Sequence, residues 1–170
     1  MLSRIAYDQE TGRPVGAAVN NSCHMEELEV PLEQELAQTI DPRYQAVQAI
    51  HHQLRLENSH IFEEIGTKKM FSIKMIGVGE EDRGQGVATN LIRRSILLAG
   101  CLGFRAIKTE ASGTFSKETF QRVGMSPAGS IKYADFTFKG ERPFAGVDNG
   151  NSEITFMKKK FFQSSLRHIL

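Results

Sequence analysis

The 170-residue chain sets 21 lysines and arginines against 20 aspartates and glutamates, for a formal net charge of +1, with 40% hydrophobic residues. That balance provides no whole-protein field for phosphate backbones or anionic lipid, so neither a nucleic-acid nor a membrane partner is expected. The two cysteines, Cys23 and Cys101, make no disulfide framework or metal spacing, the start Met1-Leu2-Ser3-Arg4-Ile5 lacks an apolar leader, and the longest apolar run, Ile96 to Phe104, is well short of the ~20 residues of a membrane span, so one compact cytoplasmic domain over residues 1–170 without a metal is expected.

Arg4 to Asp8 and Pro14 to Val19 read as two strands joined by a turn, with Gly12 able to take positive φ. Asn20 to Ile40 is acidic and interrupted by Pro31, and reads as a surface loop with at most one helical turn. Asp41-Pro42 is a helix start, with Asp41 as cap, and Tyr44, Val47, Ile50 or His51, and Leu54 recur at helical spacing as a core face. Lys69 to Val78 alternates as a strand. Val87, Leu91, Ile92, Ser95, Leu98 or Ala99, and Leu102 form the apolar stripe of a helix ending near Gly103. Arg105 to Glu110 is a short strand, Phe115 to Val123 a second helix closed by Gly124, and Ile131 to Phe138 and Ile154 to Phe162 two further strands. The order predicts an α/β fold with a mixed sheet.

Between the strand ending at Val78 and the helix starting at Val87 lies Glu80-Glu81-Asp82-Arg83-Gly84-Gln85-Gly86. Glycine is a poor helix former, costing about 1 kcal/mol against alanine, so a helix that opens this way calls for another reason. A helix N-terminus presents unpaired N–H groups and the positive end of the macrodipole, and backbone donors reach a phosphate only where no side chain intervenes. Gly84, Gly86 and the small Ala88 clear that approach and Arg83 adds a fixed charge. A Walker loop is absent, and Gly77-Val78-Gly79 has Asp82 where the dinucleotide fingerprint needs its third glycine. The plain alternative is a tight strand-to-helix turn; Arg83 and the elements that follow favour the phosphate reading.

Arg83-Gly84-Gln85-Gly86-Val87-Ala88 resembles the acetyl-CoA signature of the GCN5-related N-acetyltransferase (GNAT) superfamily. GVGEEDRGQGVATNLIRRSI, ASGTFSKETFQRVGM, IKYADFTFKG and EITFMKKKF are similar to the corresponding segments of insect-type arylalkylamine (dopamine-type) N-acetyltransferases, over nearly the whole chain from Arg4 to Phe162. The resemblance implies a GNAT fold, with a mixed, mostly antiparallel sheet and flanking helices, and an acetyl-CoA-dependent transfer of acetyl to a small primary arylalkylamine by direct attack on the thioester. It implies that Ile76, Gly77 and Val78 pair their backbone with the pantetheine arm, that Arg83, Gly84, Gln85, Gly86, Val87, Ala88 and Thr89 hold the pyrophosphate, that Arg122 approaches the phosphates, and that Ser112 and Ser116 orient groups at the thioester and help protonate the departing thiolate. A monomer or weak homodimer is expected.

The family carries a strand and two helices before the hairpin, and its proposed general base is a glutamate there; this sequence starts at the hairpin, which reads as an N-terminally truncated version of the pattern. Glu29-Val30-Pro31-Leu32 has a superficial likeness to that segment but follows the hairpin. An arylalkylamine is protonated at neutral pH, with a pKa near lysine's ~10.4, so a proton route is needed; His24, His60 or a water chain are the substitutes on offer. The alternatives are a CoA-binding fragment or truncated isoform without turnover, and a protein or peptide N-acetyltransferase. Ser116, beside Thr114 at a helix start, reads equally as an N-cap. His24, His51, His52, His60 and His168 show no metal spacing, with His51 and His52 expected as one half-buried and one solvated side chain. Cys101 reads as a small core residue and Lys158-Lys159-Lys160 as a solvated strand end. Phe115, Phe120, Tyr133, Phe136 and Phe138 are candidates for an aromatic pocket or for core.

Overall fold

The computed structural model describes residues 2–39, 41–147 and 150–161. A six-stranded sheet in the order β1-β2-β3-β4-β6-β5 runs through it, built from β1 (Arg4–Tyr7), β2 (Pro14–His24), β3 (Lys69–Val78), β4 (Ala106–Ala111), β5 (Ser126–Lys132) and β6 (Glu153–Lys160). Only β3 and β4 are parallel; the other neighbours are antiparallel. Helices α1 (Leu32–Ala37), α2 (Gln45–Glu57) and α3 (Ile61–Ile65) precede β3, α4 (Val87–Cys101) joins β3 to β4, and α5 (Thr114–Arg122) follows β4.

The hairpin forms because Asp8 Oδ1 accepts from the backbone N–H of Glu10 and Thr11 at 3.1 and 2.7 Å, an Asx turn that reverses the chain. Two apolar clusters sit on opposite faces of the sheet. Ile50, Leu54, Ile61, Phe62, Met70 and Phe156 gather beneath α2 and α3, while Phe71, Ile73, Ile92, Ile107, Phe120 and Met157 gather beneath α4 and α5. Phe71 meets Phe104 edge-on, with ring centroids 5.4 Å apart. The alternation of β3 and β4 sends successive side chains into one cluster and then the other, which is why consecutive residues, 70–73 and 106–109, are buried in both strands. In β3, Val19 pairs with Met75 and Asn20 with Ile73, so Lys74 is an extra residue, a β-bulge.

Several expectations change. The acidic stretch after Asn20 is ordered: β2 continues to His24, a 3₁₀ turn spans Met25–Glu29, and α1 follows with Pro31 just before it. Buried Asn20 is tolerated in β2 because its side-chain amide donates to the Leu2 carbonyl and Ser95 Oγ, both at 3.0 Å. Asp41 does cap, accepting from the Arg43 N–H at 3.0 Å, but the turn it caps is a 3₁₀ stretch, Pro42–Tyr44. Tyr44 and Val47 are exposed, and the buried face of α2 is Ala49, Ile50, His52 and Leu54. The strand expected over residues 131–138 begins earlier and ends at Lys132: β5 is an edge strand, where Pro127 costs no ladder bond, and Tyr133 and Phe136 turn into the core. Cys101 is exposed, because the helix stripe ends at Ala99. Lys158 pairs with Glu64 at 2.5 Å and Lys159 Nζ donates to the Val123 carbonyl at 3.1 Å, so that strand end is tied down. Phe162 and His168 lie outside the described residues. Among the described residues no helix is long and apolar enough to cross a membrane.

Candidate functional site

The segment linking β3 to α4 is a short 3₁₀ turn, Glu80–Asp82, followed by the glycine pair. The last of its three acidic residues, Asp82, faces inward and accepts from both Arg13 guanidinium nitrogens, Nη1 at 3.1 Å and Nη2 at 3.0 Å, which ties the loop to the hairpin turn. Gly84 and Gly86 have φ of 77° and 80°, in the left-handed region that costs other L-residues about 1–2 kcal/mol. Gly86 is the N-cap of α4 and has no side chain with which to cap it. The Asn90 N–H is the first in the helix to find an acceptor, the Gly86 carbonyl at 2.9 Å; those of Val87, Ala88 and Thr89 have none among the described residues. Three unpaired donors at the positive end of a 15-residue helix, with exposed Arg83 beside them, make an anion-binding geometry.

These donors open into a groove of about 740 Å³ between α4, α5 and the end of β3. Ile76, Gly77, Val78, Arg83, Gly84, Gly86, Val87, Ala88, Thr89, Ser116 and Arg122 line it; Gln85 and Ser112 do not. β3 is paired with β4 only at Phe71–Ile107, Ser72–Lys108 and Ile73–Thr109. Beyond Ile73 the two strands part, while Val78, Gly77 and Ile76 stay paired to Gly16, Ala17 and Ala18 of β2. Among the described residues the opposite backbone edge of Ile76–Val78 has no strand partner and is open to an added chain. Together the uncapped helix start and the free strand edge fit a ligand with an anionic group at one end and an extended amide-bearing arm.

Ser116 lies in the first turn of α5. Its hydroxyl accepts from the Gly113 N–H at 3.2 Å and donates to the Gly113 carbonyl at 2.7 Å, so it braces the helix start and lines the groove at once. Ser112 is exposed, and its carbonyl accepts from the Tyr133 hydroxyl at 2.7 Å. Arg122 is paired with Glu118 at 3.3 Å, one helical turn back. The five aromatic candidates do not gather: Phe115 is 72% exposed at the groove, Phe120 lies under it, and Tyr133 and Phe136, with Phe138 against them, belong to the cluster on the other face. His24, hydrogen-bonded to Ser22 at 2.9 Å, pairs with Lys69 at the far end of β3, roughly 30 Å of strand from Val78, and His60 adjoins α3; neither approaches the groove.

The α2 face carries a charge cluster that composition does not announce. Glu110 accepts from His51 Nδ1 at 2.5 Å and from Lys108 Nζ, with Arg55 Nη1 at 3.9 Å. Arg55 also clasps Glu35 at 2.8 and 2.9 Å, and His52 Nδ1 lies 3.3 Å from the same carboxylate. His51 is half-buried, as one of the pair was expected to be, while His52 is buried and not solvated. Burial opposes the charge on Glu110, but Lys108 and His51 outweigh it and hold the carboxyl well below the usual range. Burial pushes the Lys74 ammonium down, with Lys108 adding to the effect. The available sequence signal was Lys108 and Glu110 at alternate positions of a central strand, where charges are buried and must pair. Among the described residues no group of three or more His, Cys, Asp or Glu could hold a metal.

No protein-family model matches the sequence. Solved structures do match its fold. A mosquito arylalkylamine N-acetyltransferase like 5b superposes with a TM-score of 0.84 at 18% identity, covering 94% of this chain and 74% of that one. Arylalkylamine N-acetyltransferase 2 from Aedes aegypti gives 0.82 at 24% identity, over 94% and 73%. The Drosophila melanogaster polyamine N-acetyltransferase, an enzyme that catalyses formation of N-acetylagmatine, gives 0.82 at 14%, over 94% and 75%. The chain therefore has the GNAT fold, in the form seen in arylalkylamine and polyamine N-acetyltransferases.

Proposed function

We propose that this protein is an acetyl-CoA-dependent N-acetyltransferase that acts on small primary amines, arylalkylamines foremost, by direct attack of the neutral amine on the thioester. The observation that carries the reading is the uncapped, glycine-opened start of α4 facing the same groove as the free edge of β3. The likeness to solved amine N-acetyltransferases supports the reaction class. In this reading the N–H groups from Gly84 to Thr89 and the Arg83 guanidinium hold the pyrophosphate, Ile76–Val78 pair with the pantetheine arm, and Arg122 swings from Glu118 to the phosphates. Bound acetyl-CoA supplies an activated acyl group. Ser112 and Ser116 stand near the parting strands as hydroxyl donors for a departing thiolate; a thiol of pKa ~8.5 leaves more readily when a donor meets it. Ser116 gives up its bond to the Gly113 carbonyl to do so.

Release of free CoA thiol tests this. The purified chain, given acetyl-CoA with dopamine, tyramine, tryptamine or agmatine, is expected to release thiol in an amine-dependent way. Binding of acetyl-CoA without release for any amine, at enzyme concentrations that reveal slow turnover, would leave a CoA-binding domain. Turnover with a peptide N-terminus and none with amines would move the substrate class to proteins.

A further inference from the structure

We propose that His51 is the proton acceptor for the incoming amine and that Glu110 is its positioning residue, an inference that rests on the acetyltransferase reading above. Along β4, Lys108 and Glu110 share one face, and exposure rises from Lys108, 1% exposed, through Glu110 to Ser112, in the open just past the strand end. Glu110 is the first residue of β4 beyond the last pair with β3, Ile73–Thr109, so it stands where the two strands part. His51 reaches it from α2. An arm lying along the free edge of Ile76–Val78 runs beside this same gap, which puts the dyad at the reacting end and away from the anion site.

The electrostatics assign the roles. Facing the pair are Lys108 on β4, Lys74 on β3, Arg55 and His52 on α2, and Glu35 on α1. Glu110 has one oxygen on the Lys108 ammonium and the other on His51 Nδ1, so it stays ionised and is a poor base itself. An ionised carboxylate can only accept, so His51 donates Nδ1–H to it, and Nε2 is the ring nitrogen left to take a proton. Nε2 has no partner among the described residues, and the side chain is 28% exposed, so this nitrogen can meet a ligand. His52 is enclosed beside Glu35 and offers no such access. In the reaction the ammonium R–NH₃⁺ passes one proton to His51 Nε2. The freed lone pair forms the C–N bond as the C–S bond breaks, the electron pair leaves on sulfur, and the second nitrogen proton ends on that sulfur through a serine hydroxyl. His51 then returns its proton to solvent, giving amide, thiol and one H⁺ overall.

Two measurements on the full chain test this. In the first, kcat/KM is followed against pH for wild type and His51→Gln. The variant is expected to lose about 10²-fold or more near pH 7 with unchanged acetyl-CoA affinity, to recover as the pH approaches the amine's own pKa, and His51→Ala is expected to regain rate with added imidazole. In the second, ¹⁵N-imidazole spectra with CoA present are expected to show the Nε2 signal of His51 move on adding dopamine or agmatine. A folded His51→Gln with wild-type rate and pH profile, or an Nε2 signal indifferent to saturating amine, overturns the proposal while leaving the acetyltransferase reading intact. No turnover by wild type itself, with acetyl-CoA still bound, removes both.

Discussion

The two faces of the sheet solve the same problem, placing charge where a ligand can use it, with different materials. On the α4 face the positive potential comes from peptide groups: three unpaired N–H donors and a helix dipole, held in place by two glycines at positive φ. On the α2 face it comes from side chains, Lys108 and Arg55 converging on the His51–Glu110 pair from β4 and α2. Backbone donors are in place once the loop is folded and bear no net charge to be stripped of water. The buried side-chain cluster holds only while its members balance, because each ion removed from water costs several kcal/mol unless paired. The anion site is therefore robust to pH and sensitive to sterics and added charge, and the α2 cluster is the reverse.

The strongest way to break that contrast is Gly86→Asp. Aspartate tolerates the left-handed region better than most residues, so the fold should persist while a carboxylate occupies the anion's approach. Titration calorimetry is expected to show loss of measurable acetyl-CoA binding; unchanged affinity would remove the cofactor site from this loop. Next in size is Glu110→Leu, which strands Lys108 in the core and is expected to cost about 3–5 kcal/mol in denaturant unfolding, most of it restored by adding Lys108→Met. A single variant as stable as wild type would mean that the cluster is not balanced by Glu110.

Acid titration sharpens the difference further. Since the folded Glu110 carboxyl titrates below its unfolded value of ~4.3, its contribution is fully present above that pH and is lost as the pH falls toward the folded value. Stability should thus drop more steeply below about pH 4.3 in wild type than in the Lys108→Met/Glu110→Leu pair, seen in melts across the range. The smallest effect concerns Ser116→Ala, expected to cost roughly 1 kcal/mol of stability for the lost bonds to Gly113 and to slow turnover more than it weakens acetyl-CoA binding. Ser112→Ala should share the kinetic effect without the stability loss, since among the described residues no side-chain bond holds it. If neither substitution slows the reaction, Ser116 is a brace for α5 and nothing more.

The sequence made the α4 face readable because its parts are neighbours in the chain. β3 lies at Lys69–Val78 as its alternation predicts, and Arg83 to Thr89 carry their spacing on their sleeve. Distance in sequence hid the rest. His51 and Glu110 are 59 residues apart, and only the packing of α2 against the sheet joins them. β5 was obscured by Ser126-Pro127-Ala128-Gly129-Ser130, a turn-like composition that becomes a strand because β6 supplies the ladder. α1 was obscured by Pro31, which stands at a helix start where its missing N–H is harmless.

The extra residue at Lys74 separates two ways of counting along one strand. Before it, the odd-numbered Phe71 and Ile73 point to the α4 layer; after it, the even-numbered Ile76 does. Parity, and not side-chain chemistry, decides which layer the end of β3 serves. Deleting residue 74 would restore regular alternation and leave Met75 and Ile76 on the sides they now face, whereas keeping Lys74 but pairing it in register would turn that end of the strand inside out, presenting Met75 to the groove and Ile76 to the opposite side.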